Sequence, residues 1–127
     1  MAYNITKQLV VIPGPTVNLK STGNTIIFTP LSKFAVVQIS CFGVSVTGVI
    51  GAPVASFGWT AATYNDLTSG FTSFPTATDH TNGSEIASTI GETPVIPAST
   101  AFRINVTAAD ATATTNSQRI DILGYYI

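Results

Sequence analysis

No stretch of eleven or more residues in this chain carries apolar positions at helical spacing without a Gly, a Pro or a Thr cluster breaking the pattern. That feature removes most fold classes. Helical bundles need long amphipathic segments, and a parallel α/β sheet needs helices to cross between its strands. Strand is what remains. The 127 residues include 20 Thr and 11 Ser, and Thr, like Val, loses side-chain freedom in a helix but packs well on a pleated sheet.

Strands are predicted near residues 5–12, 16–20, 25–29, 34–42, 44–50, 54–59, 85–90, 101–107 and 119–127. Turn signals separate them at Pro13-Gly14-Pro15, Ser21-Thr22-Gly23-Asn24, Gly51-Ala52-Pro53, Asn82-Gly83 and Pro94 to Pro97. Short strands at this spacing predict an all-β fold, an antiparallel β-sandwich that is jelly-roll-like with about eight strands. One domain over residues 1–127 suits the length. The irregular stretch 60–84 is long for a loop, and a short helix or a connection crossing between sheets is expected in it.

Charge is scarce. Only 9 % of residues are charged, 45 % are hydrophobic, and the net charge is −1. Such a chain has no electrostatic footprint for nucleic acid or an anionic membrane. The 32 residues from Phe34 to Asn65 carry no charge at all. Their glycines, Pro53 and the alternation Val44-Ser45-Val46-Thr47 mark strands rather than a membrane-spanning helix. The start, Met-Ala-Tyr-Asn-Ile-Thr-Lys-Gln, lacks the basic and apolar regions of a secretory signal. A free-standing small domain ordinarily keeps about 25–35 % of its surface charged. Here either Thr and Ser hydroxyls solvate the surface or neighbouring chains cover much of it. Edge strands this poor in charge invite aggregation unless they are paired. A homo-oligomer is therefore expected.

Reactive groups are equally sparse. The lone Cys41 excludes an intrachain disulfide framework and a Cys-based zinc site, and reads as a small buried hydrophobe. His80 is the only histidine, and its neighbour Asp79 does not supply the spatial convergence of a triad. No Gly-x-Ser-x-Gly elbow is present. Asp79, Asn82 and Glu85, with Gly83, offer oxygens to a hard cation, but their spacing is not that of a twelve-residue calcium loop. They read as a polar turn. Phe57 and Trp59 share one face of a strand and read as core rather than as a sugar platform. No catalytic residue, cofactor or metal ligand is assigned, and the chain is read as non-enzymatic.

Two strands carry the clearest pattern. In Phe102-Arg103-Ile104-Asn105-Val106-Thr107 the apolar set faces the core. In the last strand Ile120, Ile122, Gly124 and Tyr126 share the core face. The other face begins polar at Arg119 and Asp121 and turns apolar at Leu123, Tyr125 and Ile127. Those three residues are expected to touch another subunit, or else to lie under a loop of the same chain.

With these residues in view, the chain resembles small structural proteins of tailed bacteriophages. The resemblance lies in Val44-Ser-Val-Thr-Gly-Val-Ile50, in Ala62-Thr-Tyr-Asn-Asp-Leu67 and in the C-terminal part. There a proline-led turn feeds the strand Phe-Arg-Ile-Asn-Val-Thr107, and the last strand ends in Gly-Tyr-Tyr-Ile127, similar to the close of phage decoration and fibre-associated jelly-roll modules. The resemblance implies a virion protein on the outer capsid surface. It would be a trimeric capsid decoration (cement) protein whose partner is the major capsid protein. In that reading Met1, Ala2, Tyr3 and Asn4, in an extended arm over residues 1–6, lie across a neighbour. The rival reading is a receptor- or carbohydrate-binding module of a phage tail or fibre, which predicts exposed aromatics in residues 60–84.

Overall fold

The computed structural model describes residues 8–85 and 93–127. Of the strand expected at 5–12, residues 5–7 lie outside the described residues and the rest contains β1 (Val10–Ile12), followed by β2 (Thr16–Asn18) and β3 (Gly23–Phe28). Then come β4 (Phe34–Gly48), β5 (Val54–Gly58), β6 (Thr68–Phe71) and β7 (Thr81–Glu85). The chain closes with β8 (Val95–Ile96), β9 (Phe102–Ala108) and β10 (Ala113–Tyr126). The fold is an all-β antiparallel sandwich.

One sheet has the order β1-β10-β4-β7, with β2 also pairing β10 and β8 also pairing β4. The other has the order β3-β9-β5-β6. β1 and β2 lie end to end along β10, separated by Pro13-Gly14-Pro15, and together fill one strand position. β7 and β8 likewise follow each other along β4. The ten strands of the described residues thus occupy eight positions, four in each sheet, with the chain alternating between sheets as in a jelly roll.

Several boundaries differ from the sequence expectation. The separate segments 34–42 and 44–50 are one strand, β4, with bulges that leave Val37 and Val44 unmatched against β10. Each bulge resets the two-residue alternation. The residues of β4 that face the core are accordingly Phe34 and Val36, then Ile39, Cys41 and Gly43, then Val46, while Ala35 is buried as well. The strand expected at 85–90 begins earlier, at Thr81, and residues 86–90 lie outside the described residues. Asn82-Gly83, expected as a turn, is inside β7, because backbone pairing with β4 overrides its weak local strand preference. The proline-flanked turn at 94–97 contains β8 for the same reason. Stretch 60–84 holds β6 and the start of β7, and no helix occurs among the described residues.

The core lies between the sheets. Val36, Ile39, Cys41, Ile120 and Ile122 from the first sheet meet Phe57, Phe102, Ile104 and Val106 from the second. Edge-to-face rings link Phe57 to Phe71 at 5.1 Å, Phe71 to Phe74 at 5.1 Å and Phe28 to Phe34 at 5.1 Å. Each fully buried phenyl contributes about 1.5–3 kcal/mol relative to exposure. Residues 72–80 close one side of the sandwich. Gly43 N–H donates to His80 O at 2.9 Å, Asp79 N–H donates to Gly43 O at 2.9 Å, and Val46 N–H donates to Thr78 Oγ1 at 2.9 Å.

Candidate functional site

Among the described residues the chemically reactive groups are dispersed. His80 is exposed, and its Nδ1 lies 3.1 Å from the carbonyl of Thr78. Asp79 adopts φ 63° at the turn into β7. Asn82 and Glu85 are strung along that extended strand, paired with Cys41 and Gln38, so no loop gathers them around a cation. Among the described residues no three His, Cys, Asp or Glu side chains converge on a metal-sized site. No helix there is long and apolar enough to cross a membrane. Burial, and secondarily the charge of Asp121, push the Cys41 thiol up to about 12.

The two most constrained carboxylates hold loops in place. Asp66 accepts from Trp59 N–H at 2.6 Å, Thr60 N–H at 2.7 Å and Thr60 Oγ1 at 2.7 Å. Desolvation works against its charge, but those hydrogen bonds outweigh it and set the pKa below the ordinary 3.8. Asp110 is buried in the β9–β10 turn. Its Oδ1 accepts from the N–H groups of Gly51 at 3.0 Å, Thr112 at 3.1 Å and Ala113 at 3.0 Å. Its Oδ2 accepts from Asn116 Nδ2 at 2.9 Å. Burial alone would raise the pKa of Asp110, yet these donors hold it below 3.8.

Among the described residues, the aromatic rings of stretch 60–84 form no exposed stacking platform. Phe57 is fully buried and Trp59 packs against the core, as expected. Phe71 and Phe74, the central aromatics of stretch 60–84, are also buried. Tyr64 is half-buried, with the Arg103 guanidinium 5.3 Å from its ring centre.

What stands out is the outer face of the six-stranded sheet. Leu123 pairs with Val11 on one side and Gln38 on the other. Leu123 and Tyr125 are half-buried, whereas Ile127 is 58 % and Val11 62 % exposed. Leu9 beside them is exposed as well. Val11 was not singled out in the sequence, although Val10-Val11-Ile12 signals it: a strand with one buried face places the middle residue of such a run outside. Tyr126 keeps its expected place on the core face, with its ring 4.9 Å from Phe34, but sits at the rim and is 47 % exposed. Its neighbour Ile127 donates its N–H to Lys33 O at 3.0 Å, which ties the C-terminal end to the loop bearing the 90 %-exposed Leu31. Met1, Ala2, Tyr3 and Asn4 lie outside the described residues.

No family model matches the chain, and no curated protein matches it. Among solved structures it is similar to a chain of the cyanophage Pam1 capsid asymmetric unit. The TM-score is 0.59 at 17 % identity, with 100 % of this chain and 91 % of that chain covered. At that identity the likeness shows a shared fold.

Proposed function

We propose that this chain is a non-enzymatic virion structural protein, a capsid decoration (cement) protein bound to the outer surface of a phage head. The observation that carries this reading is the full-length fold correspondence with a chain of a phage capsid assembly. The composition supports it. Eleven charged residues in 127 suit a molecule held among other chains, with contacts made by apolar surface and hydroxyls and little affected by salt.

In this reading Leu123, Tyr125 and Ile127, with Val11, form the subunit contact of a homo-oligomer, a trimer by the family resemblance. Residues 1–4 reach a neighbouring major capsid subunit. A trimer bridging several capsid subunits gains from linked contacts, each modest alone.

The test is co-sedimentation of the purified protein with expanded, DNA-free heads of the parent phage. Saturable binding at a fixed ratio that persists in about 0.5 M salt is expected, because apolar contacts are not screened. Deleting residues 1–6 should weaken it. No binding to heads, together with saturable binding to host cells, would transfer the protein to the tail or fibre class.

A further inference from the structure

The loop after β5 folds back over the outer face of the four-stranded sheet and leaves a groove beside it. Ser56 on β5 pairs with Asn105 on β9, and these two with Thr107 form the floor. Thr63 and Asn65 of the loop make one wall, and Ser69 with Gly70 on β6 makes the other. The groove is open to solvent and its volume is about 320 Å³, at the small end of ligand sites, which span about 300–1,000 Å³.

We propose that this groove binds the uncharged, hydroxyl-rich end of a sugar. Three observations carry the assignment, and none depends on the capsid reading. The walls are held in place before any ligand arrives. Ser56 Oγ donates to Thr63 O at 2.9 Å, Asn105 Nδ2 donates to the same carbonyl at 3.4 Å, and Asp66 anchors the loop base. The lining contains no charged side chain. The nearby cation is engaged elsewhere, since Arg103 donates to Asn24 Oδ1 at 2.7 Å and lies over Tyr64. Lastly, both polarities of hydrogen bond remain open. Asn65 Oδ1 is taken by Thr63 Oγ1 at 3.0 Å, leaving its Nδ2 to donate. Asn105 Oδ1 and Ser69 Oγ bond to no other group among the described residues.

A phosphate or carboxylate would find no counter-charge here. An apolar ligand would strip water from the floor amide and return nothing. A sugar hydroxyl donates and accepts at once, which is what the Asn105 Oδ1, Asn65 Nδ2 and Ser69 Oγ set requires. Without an aromatic ring to stack on, the affinity belongs in the millimolar range.

The experiment is a ¹H–¹⁵N NMR titration of the intact protein with the methyl glycosides of glucose, galactose, mannose and N-acetylglucosamine. Each is taken to about 10 mM, enough to saturate a millimolar site. Saturable shifts confined to the amides of residues 56, 62–65, 69–70 and 105 are expected for at least one sugar. Asn105→Leu and Ser69→Ala should each weaken binding at least about three-fold, with dispersed spectra showing that both variants fold. Absence of saturable shifts for all four sugars, shifts elsewhere on the molecule, or unchanged binding in both variants would overturn the proposal. So would tighter binding of N-acetylneuraminic acid, whose carboxylate the groove should reject. Co-sedimentation of Asn105→Leu with heads should match wild type, which keeps this outcome separate from that of capsid attachment.

Discussion

Asn116 Nδ2 donates to Asp110 Oδ2 at 2.9 Å inside the sandwich, and this contact sets the direction of a buried polar chain. An ionised carboxylate only accepts, so Asn116 must turn its amide nitrogen toward Asp110 and its Oδ1 toward Gln118. Gln118 Nε2 then donates to Asn116 Oδ1 at 2.9 Å and to Pro75 O at 3.1 Å. Gln118 Oε1 is left buried without a donor among the described residues. One carboxylate thereby ties the β9–β10 turn, the loop at Gly51 and the closing segment at Pro75 into one unit.

Asp110→Asn should therefore be destabilising although it is nearly isosteric. The new amide nitrogen meets either the Asn116 side-chain amide N–H or the three backbone N–H groups, donor against donor, and turning Asn116 over to avoid this breaks its bond from Gln118 Nε2. A loss of about 2–3 kcal/mol is expected from hydrogen bonds to a charged acceptor. Urea denaturation of the variant against wild type measures it, and an unchanged midpoint would remove Asp110 from its anchoring role.

Acid should act through the same group. Asp110 and Asp66 both have native pKa values below the ordinary 3.8. A depressed carboxylate contributes stability above its unfolded pKa, and that contribution is lost as pH falls through the native value. Stability should be level near neutrality and decline below about pH 4. Urea midpoints measured across this range should fall more gently in Asp110→Asn.

Cys41 should be inert while the protein is folded. With the thiol fully buried and its pKa pushed up to about 12, almost no thiolate exists at pH 8. A chromogenic disulfide reagent should label it only in denaturant. Native labelling at the rate of a free thiol would show that the centre of β4 opens readily.

Gly14 has no room for a side chain. A Cβ there would overlap the carbonyl oxygen of Ile120, at the point where Gly14 N–H donates to Asp121 Oδ1 at 3.1 Å and Ile120 N–H donates to Pro15 O at 3.2 Å. Gly14→Ala should cost about 2 kcal/mol or more by forcing the turn off β10. The lost protection should appear first in hydrogen exchange at Ile120.

Val11→Asp addresses association. At 62 % exposure the substitution should leave monomer stability within about 0.5 kcal/mol. If the proposed subunit contact holds the wild type as an oligomer, a charge beside Leu123 should disperse it, and sedimentation velocity should move from an oligomer to a monomer at micromolar concentration. A wild-type protein that is already monomeric there would refute the proposed subunit contact.

Much of the scaffold was legible in the sequence. Phe102, Ile104 and Val106 are buried while Arg103 and Asn105 are on the other face, as their alternation predicts. Ile120 and Ile122 face inward for the same reason. β7 and β8 were misplaced because Thr81-Asn82-Gly83-Ser84 and a Val-Ile pair between prolines carry little strand signal of their own. The groove was missed entirely. Ser56, Asn105 and Ser69 have no motif in common, and only the return of the loop over β5 and β9 brings them together.

The sequence by itself determined that the fold is all-β and which face of the last strand turns apolar. Those properties belong to contiguous residues, where side-chain branching and two-residue alternation act locally. The tertiary structure alone decided where β4 bulges, that Gly14 must meet Asp121 across 107 positions, and that Val11 stands exposed beside Leu123. Each of these depends on a partner strand distant in sequence, and burial is a property of the pair rather than of either residue.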